Sequence, residues 1–400
     1  MSLAPPPSPL AAPPRSPGAI AGLLLAGGTV LALLLLGEAA LRVAGYRPPE
    51  LVPPTVKGSY RFEPGARFTY VGYRPGSPIE FRTSIELNRL GFHDRDYAER
   101  RPTERTARVL VLGDSYVAAM EVETRETFAK LLEERLNRED PLGGGSYEVI
   151  AFGQGNRAQA AQLEWLREYG PRYRPDLVLL VFFCGNDVME NSPVTFKKAG
   201  RFGNFYQKVV APRKLALYER LSRPRWSRLA GFVAERAATW YASRLYLFHG
   251  DVSREQLLGP DAEVYRVPPA AEWREAWRLT EELLGELRAE ARRQGAGFSL
   301  AVISGPQSIG EAAQDRLWAN RDAGMDLEQP ERWVLGWCAG QQVPCFPLGR
   351  AFREAGREKV FWRYDAHLTP FGHRVAAEAL YAPLVGLLRD GAAAKKNPPR

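Results

Sequence analysis

The run Arg108–Val122, RVLVLGDSYVAAMEV, decides the fold. Val109 to Leu112 is short and wholly apolar, as suits a strand buried on both faces, and Gly113 breaks it where the chain must turn. A serine, Ser115, is thereby placed at the carboxyl end of a central strand. In open α/β sheets that edge is where ligands bind, and a turn entering a helix carries free backbone N–H groups. The same tripeptide also serves as an ordinary strand-to-loop turn in which Asp114 and Ser115 only cap the next segment, so the rest of the chain has to decide.

Working outward, apolar strands alternate with amphipathic segments. The spacing of Phe128, Leu131, Leu132 and Leu136 predicts a helix over 126–137, with Thr124 as its N-cap. A strand over 148–152 comes next, then a helix through Leu163 and Leu166 that Gly170-Pro171 is expected to stop. DLVLLVFF, 176–183, is too apolar to be half exposed. A helix over 270–293 leads into FSLAVIS, and one over 333–338 leads into VPCFPL. Five strands alternating with helices predict an α/β fold: a three-layer αβα arrangement with a five-stranded parallel sheet, doubly wound and covered on both faces.

At the N-terminus, residues 1–17 are dense in Pro and Ser and cannot bury a core. Residues 18–37, GAIAGLLLAGGTVLALLLLG, carry no charge and have about the length needed to cross roughly 30 Å of hydrocarbon as a helix. They read as an uncleaved transmembrane anchor; a signal peptide cleaved near Gly37 to Ala39 is the alternative. Arg15, the one charge before the span, puts the leader inside by the positive-inside rule and everything after Arg42 on the outer, periplasmic or extracellular, face of a bacterial cytoplasmic membrane. A Pro-rich linker (38–59), an extension with short strands (60–107), the α/β domain (108–388) and a disordered tail (389–400) complete the expected organisation.

The chain has 400 residues, 45% hydrophobic, with a net charge of +8. Three cysteines cannot make a disulfide framework or a four-thiolate metal site, and no zinc-type or P-loop spacing occurs. Cys338 and Cys345 flank a helix end and a strand start; a disulfide and two separate thiols both fit. The basic excess is concentrated in a helical insertion over 205–249, where nine Lys or Arg face Glu219 and Glu235. These cations alternate with aromatics and suit solvation, anionic lipid or an acidic polysaccharide. Nucleic acid is disfavoured, because the charge is confined to one insertion of an exported domain.

Three further loops at the expected carboxyl edge carry candidate chemistry. FGQGNRAQ offers Gly153 and Gly155 for close backbone approach, FFCGND brings Asn186 off a strand tip, and YDAHLTPFGHR holds Asp365 and His367 just before Thr369-Pro370, the N-cap and first position of a final helix. Each has a plain counterpart: turn glycines, an Asx turn at Asn186-Asp187, a loop histidine. His373, inside the helix, reads as structural. Together the loops supply a nucleophile (Ser115), a base (His367), a base-orienting carboxylate (Asp365) and three oxyanion donors, which is what acyl transfer needs. If the Asp-Ala-His segment is extended, Asp365 and His367 project to the same side, so the carboxylate can hold one ring nitrogen while the other faces Ser115.

On VLVLGDSY, FGQGN, FFCGND and DAHLTPFGH, in that order, the sequence resembles the SGNH hydrolases, or GDSL esterase/lipase superfamily, over roughly residues 80–388. The resemblance implies a flavodoxin-like αβα fold and cofactor-free hydrolysis of esters or thioesters. It makes Ser115 the nucleophile and His367 the base, with the Ser115 and Gly155 N–H groups and the Asn186 side chain as oxyanion hole. The glycine loop is short against the usual pattern, which leaves Gly153 as an alternative to Gly155. Many members carry Asp three residues before His, where this chain has Tyr364; Asp365 stands two before. A membrane-anchored serine esterase acting on short-chain or carbohydrate O-acyl esters is therefore expected. An O-acyltransferase for an envelope or extracellular polysaccharide and a catalytically idle envelope binding protein are the alternatives.

Overall fold

A computed structural model describes residues 17–46, 49–50, 55–56, 61–72, 80–197, 227–245, 260–310, 323–363 and 365–396. Its strands are β1 (Pro49–Glu50), β2 (Arg67–Val71), β3 (Arg82–Glu86), β4 (Thr106–Gly113), β5 (Ser146–Gly153), β6 (Leu177–Phe183), β7 (Gly297–Ile303) and β8 (Cys345–Pro347). The last five form a parallel sheet in the order β5-β4-β6-β7-β8. This is the α/β, flavodoxin-like arrangement expected, with β4 at the point where the strand order reverses.

Strand β4 is buried along its whole length because its side chains alternate between two cores. Leu110 and Leu112 point into one with Ile150, Phe152, Leu166, Trp277 and Leu284. Val109 and Val111 point into the other with Phe128, Leu132, Leu136, Leu380 and Leu384. Helices Gln159–Tyr173, Ala271–Arg293 and Gln329–Gln341 therefore cover one face, and Phe128–Glu139 and Pro370–Lys396 the other. At the amino end of the sheet Arg108 and Glu148, paired across β4 and β5, form a buried ion pair at 2.6 Å. The guanidinium also donates to the carbonyls of Glu99, Tyr173 and Ala98.

The extension contributes a second sheet, ordered β1-β2-β3. Its Phe68 and Ile85, with Phe62 and Leu87, pack on Ala118 and Met120, bracing the chain just after the serine.

Several boundaries differ from expectation. The apolar helix runs on from Pro17 to Val43, because Glu38 and Arg42 form an i,i+4 pair and the turn waits for Gly45 at φ +69°. The Thr124 cap is not formed: Thr124–Glu126 is a separate 3₁₀ turn, Thr124 bonds His93, and Thr127 caps helix Phe128–Glu139 by accepting from the Lys130 N–H. Gly170-Pro171 does not stop its helix, which continues to Tyr173 and ends on left-handed Arg174. There the Gln294 side chain fills the space a Gly170 Cβ would take and donates to the Leu166 carbonyl. Residues 389–396 are helical rather than a disordered tail; Ala and Lys extend the last helix, and Arg389 donates to the Pro141 carbonyl.

Ile20–Val43 is long and apolar enough to cross a membrane, with mean hydropathy 2.3 and none of it buried in the protein. Near its end Glu38 accepts from Ser227 Oγ and the Arg228 and Leu229 N–H groups, capping helix Arg228–Leu245, while Tyr46 meets Phe232 edge-on. The rest of the basic segment, and the leader before Pro17, lie outside the described residues.

Candidate active site

Two glycines shape the floor. Gly113 and Gly153 end β4 and β5 in register; a Cβ on Gly113 would sit 2.4 Å from Val117 Cγ2, and one on Gly153 would sit 2.3 Å from the Ala118 nitrogen. Their absence of side chain lets the short helix Ser115–Ala118 rest on both strand ends. Buried Asp114 caps that helix, accepting from the Tyr116 N–H at 3.0 Å, so Ser115 stands at its first position. Gly155 lies closer to the serine side chain, its absent Cβ 3.7 Å from Ser115 Cβ. Gly153 thus serves packing, and Gly155 is the glycine facing Ser115.

His367 comes from the loop before helix Pro370–Lys396. Its Nε2 is 2.9 Å from Ser115 Oγ and its Nδ1 is 2.5 Å from Asp365 Oδ1. With Nδ1–H donating to the carboxylate, Nε2 is left to accept the serine hydroxyl. The segment is not extended as expected: Ala366 has φ +74°, a left-handed conformation uncommon for a residue with a Cβ. It is held there by the Tyr116 hydroxyl donating to the Ala366 carbonyl at 3.0 Å and by the Ala366 N–H donating to the Trp362 carbonyl. A tight loop, rather than strand alternation, brings Asp365 and His367 together. Glu80 accepts from the Asp365 N–H, and the Tyr116 ring lies 5.0 Å from the imidazole. Tyr364 lies outside the described residues.

Asn186 leaves β6 and opens helix Asp187–Asn191. The expected Asx alternative is replaced by a different tie, in which Asp187 Oδ2 reaches back to accept from the Phe183 N–H and Gln159 Nε2. Asn186 Nδ2 donates to Glu190 Oε1 at 2.7 Å, which occupies one amide hydrogen and leaves the other. Asn186 Oδ1 and Glu190 Oε2 are buried without a partner. Burial, reinforced by Asp187 and Asp114, pushes the Glu190 carboxyl well above its usual range.

Sequence reasoning missed Glu121. It is 5% exposed, and its Oε1 lies 3.5 Å from His367 Nδ1. The signal was present as a lone acid in the apolar stretch VAAMEV. Burial raises the Glu121 carboxyl, while the imidazole acts to lower it. Burial alone would lower His367, but the charge of Glu121, then Asp365 and Asp114, outweighs it and holds the ring above its ordinary range. Glu121, Asp365 and His367 are the described residues whose donor atoms cluster as a cation site would need. Both ring nitrogens are already engaged, by Asp365 and Ser115, which fits a proton relay better than a metal site.

The remaining candidates are structural. His373 is buried and its Nδ1 accepts from the Phe128 N–H; burial pushes it down to about 3. Cys184, Cys338 and Cys345 are free thiols, and contact with Cys338 together with burial raises that of Cys345.

No family model and no curated relative matches the chain. Solved structures do. TesA is similar at 15% identity and TM-score 0.37, covering 70% of this chain and 99% of its own. The acetyl xylan esterase AlAXEase is similar at 12% and 0.39, covering 69% and 99%. A putative lipolytic protein of the G-D-S-L family from Desulfitobacterium hafniense DCB-2 is similar at 10% and 0.37, covering 70% and 99%. The chemistry of the site rests on the geometry of Ser115, His367 and Asp365.

Proposed function

We propose that this chain is a serine esterase that cleaves acyl esters, short-chain or on carbohydrate, through an acyl-enzyme on Ser115. The observation that carries it is the continuous relay from Ser115 Oγ through His367 to Asp365, at 2.9 and 2.5 Å. Free serine is a weak nucleophile; His367 Nε2 takes its proton as Oγ attacks the ester carbonyl, and Asp365 stabilises the imidazolium that forms. The carbonyl oxygen, now an oxyanion, is received by the N–H groups of Ser115 and Gly155 and by the free amide hydrogen of Asn186. The imidazolium then gives its proton to the departing alcohol, and water repeats the sequence to release the acid and restore Oγ–H.

In the same reading residues 108–388 form the catalytic domain with the basic insertion over 205–249, and the apolar N-terminal helix anchors it on the outer face of a bacterial membrane. An ester panel, run with and without carbohydrate acceptors, tests the chemistry. Wild type should hydrolyse short-chain nitrophenyl esters and acquire one acyl mass in a quench, and Ser115→Ala should lose both. Turnover persisting in Ser115→Ala overturns the proposal, and acyl transfer exceeding hydrolysis when acceptor is added reassigns it to an O-acyltransferase.

A further inference from the structure

His367 is approached by two carboxylates on the same nitrogen. Asp365 Oδ1 is within hydrogen-bond distance of Nδ1, and Glu121 Oε1 lies 3.5 Å from that atom. They arrive from different directions of the fold. Asp365 shares the histidine's own loop, whereas Glu121 comes after the nucleophile helix on a segment braced by the second sheet, where Thr83 Oγ1 donates to the Glu121 carbonyl. Two other buried carboxylates, Glu148 and Asp94, each have a strong cation as partner, Arg108 and Lys130. The ion pair that Glu121 makes is with the imidazole itself. A carboxyl held in that position pairs with the charged form of the ring, the form left once the serine proton has moved.

Resting on the esterase reading, we infer that Glu121 is a positioning residue of the base: a second carboxylate on His367 Nδ1 that stabilises the imidazolium and sustains the ring's orientation when Asp365 is lost. The groups facing the ring are Asp365 on its own loop, Glu121 and Asp114 from the two ends of the nucleophile segment, Tyr116 packed on it, and His373 from the last helix. Glu80 lies one step further out, on the Asp365 N–H. Asp114, Asp365 and Glu121 all favour the charged ring, so removing Glu121 lowers the base's pKa. The base works when neutral, so the acid limb of kcat/KM must then move to lower pH. An opposite charge at this distance shifts a pKa by about 1–3 units, and here Asp365 remains, so a shift of about one unit is expected. The three groups titrate as a unit, so the profile reports values belonging to the set.

The experiment compares pH profiles of wild type, Glu121→Gln, Asp365→Asn and the double variant, with Ser115→Ala as control. Glu121→Gln should move the acid limb down by about one unit and lower the plateau about three- to tenfold. Asp365→Asn should retain activity that the double variant loses, down to the level of His367→Ala. Glu121→Asp, which keeps the charge but withdraws it by one methylene, should fall between wild type and Glu121→Gln. A titration of the His367 imidazole by NMR in Ser115→Ala, with and without Glu121→Gln, gives the same shift without turnover. An unmoved acid limb and an unmoved imidazole titration overturn the role of Glu121 while leaving the esterase reading intact. Activity surviving in Ser115→Ala overturns the esterase reading instead, and the imidazole titration then still decides whether Glu121 bears on the ring.

Discussion

The two ends of β4 handle buried charge in opposite ways. At the amino end Arg108 is paired with Glu148 and donates to four carbonyls, so its donors are spent within the fold. At the carboxyl end Asp114, Glu121 and, one strand over, Asp187 and Glu190 are buried carboxyls with raised pKa values, and oxygens of Asp187 and Glu190 lack a partner. Both ends cost desolvation. Only the first recovers it through a strong cation; at the second the partners are backbone N–H groups, amides and an imidazole.

Removing one partner at the amino end should produce the largest effect. Arg108→Met leaves Glu148 buried without its cation and takes a donor from four carbonyls, and should destabilise the protein by about 3–5 kcal/mol. Urea melts measure this, and ester turnover by the molecules still folded should stay near wild type. A loss of turnover in folded Arg108→Met would mean the two ends are not separate. Asn186→Ala reverses the pattern, with a loss in kcat of about 10²–10³ and little change in melting. Unchanged kcat would remove Asn186 from the oxyanion hole.

The smallest effect carries a sign. Glu190 holds its proton in the folded state to well above the pH at which the unfolded chain releases it, so folded-state stability falls as pH rises from about 4.3 towards the raised value. Glu190→Gln removes that loss. Its melting temperature should match wild type near pH 4 and exceed it at pH 8. A difference independent of pH would mean that Glu190 is not protonated in the fold.

Much of the fold was legible because strand burial writes itself into composition. VLVL and LVLLVFF are apolar at every position, as only strands covered on both faces can be, and the intervening helices carry one apolar face each. Boundaries were less legible where a distant side chain decides them. Gly170-Pro171 reads as a stop, yet Gln294, more than a hundred residues later, bridges the helix there. Thr124 reads as a cap, yet His93 takes its hydroxyl.

The candidate site divides the same way. Ser115, Gly155, Asn186, Asp365 and His367 were read from four loops because each chemical type sits next to a recognisable strand end or helix start. Their sequence order and local turns are properties of neighbouring residues, so the sequence by itself determined them. The approach of Asp365 to His367 was decided by tertiary contact, since left-handed Ala366 is unfavourable alone and is held by a hydroxyl from Tyr116, 250 residues earlier. The role of Glu121 was not legible for the same reason. A lone acid in an apolar run has no meaning until the fold carries His367 across the sheet edge to within 3.5 Å of it, because a charge acts through distance in space and burial, and neither is a property of the chain's order.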